Sequence, residues 1–185
     1  MLSLSLADDA ELRALEPWRA AEFAEHIDRA RAHLAPWLPW ATTITDTDLA
    51  RAFLQGYADR QARDEGRIYG IWVAGRLEGG VLFRTFDAAA GNCEIGVWIS
   101  PAAGGRGLVT AAARHLIDWA LRVRGLARVE WYCVPHNTRS VAAAKRLGMT
   151  KEGTFREYFL FDGERLDVEV WSLLAGEWAA GEQGP

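Results

Sequence analysis

The sequence predicts an α+β domain built on a mixed sheet, part antiparallel and part parallel. Strand-like segments that follow one another in the first half favour antiparallel pairing through short turns. The later strand, helix, strand, helix order favours a parallel crossover, and a hairpin pattern ends the chain. With 185 residues, of which half are hydrophobic, the chain is long enough for one domain with a full core.

Strand-like alternation over residues 2–15, interrupted by Asp8-Asp9, comes before two predicted helices. Pro17 suits the first turn of one helix, and the Thr and Asp side chains of residues 45–48 suit the start of the other. Residues 36–40 cannot be helical throughout, because each of their two prolines disfavours helix in the residue before it. Apolar residues at helical spacing follow in both helices: Trp18, Phe23, Ile27, Ala30 and Leu34, then Leu49, Phe53 and Tyr57.

The remaining elements alternate between strands and helices. Strands are predicted over residues 68–74, 77–86, 93–99, 128–134, 154–161 and 166–174. The first two would turn at Gly75-Arg76 and the last two at Asp162-Gly163. One helix begins at Leu108, and a shorter one over residues 140–147 is closed by a following glycine.

A glycine-rich turn lies between the strand 93–99 and the helix that begins at Leu108. Glycines at 104, 105 and 107 would let an anion approach helix amides that have no internal partner. The turn therefore predicts a phosphate site, and the alternative is a turn that only starts the helix. It is neither a Walker loop, which needs Lys after the last Gly, nor a dinucleotide fingerprint, because Thr110 stands at the third glycine position.

Charge and composition argue against several classes of function. A net charge of −4 provides no general attraction to nucleic acid or to an anionic membrane. The N-terminus lacks the basic start and continuous apolar core of a signal peptide, and no run reaches the length of a membrane span. Cys93 and Cys133 each lie in an apolar strand and favour a core role, and no cluster indicates a metal. We expect a cytoplasmic protein without metal, nucleic-acid or membrane partners.

Several short segments carry a family resemblance. They are residues 33–40 (HLAPWLPW), 94–99 (EIGVWI), 105–110 (GRGLVT), 137–140 (NTRS), 146–149 (RLGM), 167–174 (DVEVWSLL) and 177–178 (EW). In this order they resemble the GNAT superfamily of acyl-CoA-dependent N-acyltransferases, and more narrowly its bacterial ribosomal-protein N-terminal acetyltransferases of the Rim type. The resemblance implies one GNAT domain over residues 1–178, and the composition predicts a flexible tail over residues 179–185. The resemblance also implies about four helices around a sheet that splays near the glycine turn.

The resemblance implies acetyl-CoA as the acyl donor. It puts backbone amides on the coenzyme A pyrophosphate at Gly104, Gly105, Arg106, Gly107 and Leu108. Val97 and Ile99 would pair with the pantetheine arm as though it were another strand, and Asn137 would contact the same arm. Amides freed by the splay would stabilise the oxyanion, an effect worth on the order of 3 kcal/mol per donor.

Glu94 is the first choice for the base that deprotonates the amine. It lies in an otherwise apolar strand, where partial burial would raise its pKa. The alternative is an exposed strand residue, and alternation, which puts it on one face with Gly96 and Trp98, does not decide between them. His33, together with the acidic residues 46 and 48, provides other candidates beside the expected acceptor wall.

Ser140 is the candidate for protonating the departing thiolate. Many superfamily members use a tyrosine of the last helix for this step, and Ala144 stands at the matching position. The resemblance puts Ser140 near the sulfur. The structural alternative for Asn137 and Ser140 is a helix N-cap and its first turn, where such a cap is worth about 1 kcal/mol.

Trp37 and Trp40, stiffened by Pro36 and Pro39, would form an apolar wall beside the acetyl group in this family, or else plug the core. A flat aromatic wall suits a peptide N-terminus or a compact amine better than a highly charged sugar. We therefore expect acetyl transfer to a primary amine such as a protein or peptide α-amino group. The alternatives are a small-molecule (antibiotic-like) amine as acceptor, succinyl-CoA as donor, or a non-catalytic acyl-CoA sensor. The sequence leaves a homodimer open.

Overall fold

One sheet of eight strands organises the molecule, which a computed structural model describes over residues 3–181. In chain order the strands are β1 (Leu4–Ala7), β2 (Ala10–Ala14), β3 (Arg67–Val73), β4 (Arg76–Asp87), β5 (Asn92–Ile99), β6 (Arg128–Cys133), β7 (Thr150–Phe161) and β8 (Glu164–Leu174). They lie in the order β1-β2-β3-β4-β5-β6-β8-β7. β5 and β6 are parallel, and the other neighbours among these strands are antiparallel. The predicted mixed α+β sheet is confirmed.

Helices cover both faces of this sheet. The α-helices within residues 3–181 are α1 (Ala20–Leu34), α2 (Pro39–Thr43), α3 (Thr47–Ala62), α4 (Leu108–Asp118), α5 (Thr138–Arg146) and α6 (Ala175–Gly181). The neighbours Ile71 and Trp72 of β3 point to opposite faces and belong to different hydrophobic clusters. Trp72 packs with α1, α2 and α3, whereas Ile71 packs with α4 and α5. No helix in the described part of the chain is long and apolar enough to cross a membrane.

Three details differ from the pattern expected along the sequence. Pro17 opens a short 3₁₀ turn before α1, which leaves Trp18 outside the buried stripe and 76% exposed. Leu49 of α3 is also exposed, because the buried stripe of that helix passes through Ala50 and Leu54. The sequence pattern did not reveal α6, whose Trp178 is buried. The expected tail boundary at residue 178 lies inside this helix, and residues 182–185 lie outside the described part.

The parallel strands β5 and β6 stay paired over a short distance only. Three residue pairs join them, and the last of these is Glu94 with Glu130. Beyond this pair β5 continues beside β4 to Ile99, and β6 continues beside β8 to Cys133. The two strands therefore splay apart after Glu94, and a cleft opens between them towards the glycine turn.

Candidate active site

The glycine turn joins the end of β5 to the start of α4 with two residues of left-handed backbone. Gly105 and Gly107 have φ angles of 78° and 75°, and Gly107 is the N-cap of α4. A Cβ built on either glycine would meet no protein atom within 4 Å. The turn is thus bounded by open space on the side where a side chain would project. A branched residue in this conformation would be strained.

Several backbone amides of this turn have no acceptor in the described part of the protein. The amide of Gly104 donates to the Pro101 carbonyl at 3.2 Å, and the amide of Ala111 donates to the Gly107 carbonyl at 2.9 Å. The amides over residues 105–110 lie between these two bonds at the positive end of the α4 dipole, which is the arrangement that binds anions. The side chain of Arg106 is engaged elsewhere, since it hydrogen-bonds the Asp9 carboxylate.

The strand leading into the turn presents a free edge to the cleft. Val97 and Ile99 pair with Val81 and Gly79 of β4, while their other edge has no partner strand in the described chain. Both side chains are half-buried. An extended ligand can hydrogen-bond to such an edge as an added strand would. The contact between these residues and a pantetheine arm stays a prediction.

Asn137 and Ser140 lie together at the start of α5. The Asn137 side-chain oxygen accepts the Ser140 amide at 3.2 Å, so Asn137 is the N-cap. The Ser140 hydroxyl accepts the indole N–H of Trp131 at 2.9 Å. Burial raises the pKa of the neighbouring Cys133 thiol to about 11. Ala144, one turn further along, is completely buried, so the protein has no tyrosine hydroxyl at that position.

Replacing Ser140 by alanine is expected to destabilise the fold by about 1–3 kcal/mol, because the buried Trp131 N–H then loses its acceptor. If the hydroxyl also passes a proton to the thiolate, turnover of the variant should fall several-fold. This loss should be smaller than the loss caused by replacing the base, because water can also protonate a thiolate. Urea unfolding and steady-state kinetics on the same variant separate the two effects. A stability loss with an unchanged kcat would leave Ser140 with the structural role alone.

Glu94 lies at the point where the two strands part. It is 8% exposed, and its carboxylate accepts a hydrogen bond from Arg84 at 3.3 Å. Burial raises the pKa of Glu94, Arg84 partly offsets this effect, and Glu130 adds to it. A buried carboxylate with a raised pKa at the mouth of a cleft is suited to accept a proton near neutral pH. The exposed alternative does not hold, while the role of base stays a prediction.

The two tryptophans differ in their surroundings. Trp40 packs edge-on against Trp98, with ring centroids 5.5 Å apart, and also contacts Phe23 and Phe53. The Trp37 ring lies 5.6 Å from that of His136, so it bridges from the α1–α2 turn to the loop before α5. Both indoles are half-buried. Trp40 is thus anchored in the aromatic core, and Trp37 packs against the loop before α5.

The other acid–base candidates have local partners. Asp46 caps α3 by accepting the Leu49 amide at 2.8 Å, and Asp48 pairs with Arg51 at 3.0 Å on the surface. His33 is half-buried, and burial lowers its pKa. These aspartates serve the start of a helix, whereas Glu94 lies where β5 and β6 part. Within residues 3–181 no group of three or more His, Cys, Asp or Glu side chains is arranged to hold a metal ion.

Comparison with known proteins agrees with this geometry. Residues 11–150 match the family described as Acetyltransferase (GNAT) domain. The chain belongs to the GNAT acetyltransferase family. Its enzyme class is therefore N-acetyltransferase, and the donor that the family resemblance implied, acetyl-CoA, is confirmed at the level of the family.

Three similar proteins cover nearly all of this acetyltransferase. A Bacillus subtilis (strain 168) protein named "Putative ribosomal N-acetyltransferase YdaF" is 31% identical over 96% of this chain and 98% of its own. A solved structure described as "Probable acetyltransferase" is 30% identical with a TM-score of 0.88, covering 95% of this chain and 98% of its own. RimL, a ribosomal L7/L12 alpha-N-protein acetyltransferase in complex with coenzyme A, has a TM-score of 0.89 at 21% identity, covering 95% and 99%. These likenesses confirm the Rim-type resemblance and the GNAT fold.

Sequence reasoning missed three residues that surround Glu94. Arg84 lies at an irregularity in β4, where the pairing with β5 shifts between Phe83 and Thr85. Glu130 is the register partner of Glu94 on β6, and Tyr132 hydrogen-bonds to it. The polar alternation of β6 was visible in the sequence. The proximity of Glu130 and Tyr132 to Glu94 depends on the parallel register of β5 and β6, which the sequence did not reveal.

Proposed function

We propose that this acetyltransferase transfers the acetyl group of acetyl-CoA to the α-amino group of a protein N-terminus by direct attack. The observation that carries the proposal is the splay at Glu94, which puts a buried carboxylate and a free strand edge beside the open amides of the glycine turn. The relatives named for ribosomal proteins and for an alpha-N-protein acetyltransferase support this acceptor class.

In the proposed donor site the amides over residues 105–110 hold the pyrophosphate. Their lack of protein acceptors and their position at the start of α4 fit a dianionic group. Val97 and Ile99 line the free edge of β5 for the pantetheine arm. Asn137, already fixed as the N-cap of α5, contacts the same arm.

In the proposed reaction the amine nitrogen forms a bond to the acetyl carbonyl carbon while the carbon–sulfur bond breaks. Glu94, whose pKa is raised by burial, accepts one proton from the amine. Free amides of the splayed strand stabilise the oxyanion, which contributes about 3 kcal/mol per donor. The thiolate takes a proton through the Ser140 hydroxyl, which regains it from solvent.

The proposed acceptor class leads to a direct test. Short peptides with a free N-terminus are expected to release thiol from acetyl-CoA, because Trp37 and Trp40 provide an apolar wall while Asp46 and Asp48 are occupied in starting α3. Aminoglycosides are expected to be poor acceptors. Thiol release is measured with acetyl-CoA and succinyl-CoA against panels of peptides, aminoglycosides and other amines.

The N-acetylated form of each peptide is the control for transfer to the α-amino group. Efficient acetylation of an aminoglycoside with no turnover on any peptide would reverse the ranking of acceptors. Faster turnover with succinyl-CoA than with acetyl-CoA would identify succinyl-CoA as the donor. No thiol release with any of the amines, despite tight donor binding, would favour the non-catalytic sensor.

A further inference from the structure

A second carboxylate and a tyrosine lie beside Glu94 on the same face of the sheet. Glu94 and Glu130 are register partners of two parallel strands, so their side chains project from the same face. Tyr132 follows two residues later on β6 and shares that face. Because β5 has already diverged there, Tyr132 borders the cleft.

The hydrogen bonds of this pair fix the direction of the tyrosine proton. The Tyr132 hydroxyl donates to Glu130 Oε2 at 3.1 Å, and Glu130 Oε1 accepts from Arg128 Nε at 2.7 Å. Arg128 in turn makes two bonds to Glu152, at 2.7 and 2.5 Å. Glu130 is thus held at both oxygens, and the lone pairs of the Tyr132 hydroxyl remain for another donor.

The surroundings of Tyr132 combine an apolar wall with negative charge. Its ring lies 6.2 Å from that of Phe155 in an edge-on arrangement, and the side chain is half-buried. Burial, together with Glu130 and Glu94, raises the pKa of Tyr132 to about 12, so the hydroxyl stays protonated at neutral pH. Glu94 and Glu130 are each paired with an arginine, Arg84 and Arg128 respectively, and the Tyr132 oxygen beside Glu130 can accept an N–H.

We infer that Tyr132, oriented by Glu130, is a positioning residue that binds the protonated primary amine of the acceptor beside Glu94. This inference rests on the proposed function and deepens it. One amine N–H is held by the Tyr132 oxygen, and a second proton passes to Glu94, which frees the nitrogen lone pair to attack the thioester. After the attack the nitrogen releases one further proton to solvent and becomes the neutral amide. The acceptor class this selects is a primary ammonium, and an acetylated or otherwise neutral N-terminus is excluded.

The test separates acceptor binding from turnover. Calorimetry with saturating coenzyme A measures the Kd of a hexapeptide with a free N-terminus and of its N-acetylated form. We expect wild type to prefer the free peptide, and Tyr132→Phe to raise its Kd and the acceptor KM at least fivefold with unchanged affinity for acetyl-CoA. Glu130→Gln, which removes the charge and keeps an acceptor oxygen, should have a similar effect. Tyr69→Phe, at a half-buried tyrosine on the opposite face, is the matched control and should change neither constant.

Two results would overturn the inference. One is an unchanged Kd for the free peptide in a folded Tyr132→Phe variant. The other is a wild type that binds free and N-acetylated peptides equally well. A wild type that prefers the free peptide but does not acetylate it would contradict the proposed function, while the effect of Tyr132→Phe on binding would still decide the positioning role.

Discussion

Replacing Glu94 by glutamine is expected to lower kcat by about 100-fold or more, with acetyl-CoA affinity little changed. Glutamine preserves the shape of the side chain and an oxygen that can accept the Arg84 hydrogen bond, so the local structure should persist. It cannot accept the amine proton. Steady-state kinetics with the best peptide acceptor and calorimetry with acetyl-CoA measure the two quantities.

The pH profile provides a second readout of the same variant. Burial raises the pKa of Glu94, so the wild-type base is deprotonated only above a pH higher than is usual for glutamate. Turnover of wild type should therefore rise with pH through this raised pKa, and the rise should be absent from Glu94→Gln. Glu169→Gln is the control, because Glu169 of β8 is about equally buried but is paired with Lys151 of β7. Near-native turnover of Glu94→Gln across pH 6 to 9 would assign Glu94 a structural role only.

Replacing Gly107 by valine is expected to weaken acetyl-CoA binding at least tenfold, about 1.4 kcal/mol. The valine side chain would project into the open space beside the free amides, where the pyrophosphate is proposed to bind. Its φ of 75° would also strain the start of α4. Calorimetry with acetyl-CoA measures the loss of affinity.

Gly163→Val separates backbone strain from loss of the site. Gly163 has a φ of 79° and equally open surroundings, but it turns the β7–β8 hairpin. The two variants should lose similar stability in thermal unfolding, and only Gly107→Val should lose donor affinity. Unchanged affinity in a folded Gly107→Val protein would remove the phosphate interpretation of the turn.

The sequence revealed those features of the site that depend on the backbone of one segment. The glycine turn was recognisable because Gly105 and Gly107 are needed where the backbone is left-handed and where a ligand can come close. The cap at Asn137 was recognisable for a similar reason, since a capping side chain acts on an amide three residues away. Both features are local, and no long-range contact is needed to predict them.

The surroundings of Glu94 depend on contacts between distant segments. Alternation put Glu94 on a face with Trp98, but it could not show what covers that face. The cover includes Arg84 at the β4 irregularity and Tyr57 of α3, whose pKa is itself affected by Glu94. Glu94 pairs with Glu130 because β5 and β6 are parallel neighbours, although the whole of α4 separates these strands along the chain. No spacing within the sequence encodes that register.

The short ladder between β5 and β6 also has a thermodynamic consequence. Only three residue pairs join the five-stranded half, β1 to β5, to the three-stranded half formed by β6, β8 and β7. In the proposed site a donor that fills the splay would contribute hydrogen bonds across a seam where, beyond Glu94 and Glu130, the described strands do not pair. Because such a ligand binds the folded state and not the unfolded one, it stabilises the protein by RT ln(1 + [L]/Kd). The folding equilibrium of this enzyme is therefore coupled to the supply of its own donor, and resistance to unfolding rises as the donor accumulates.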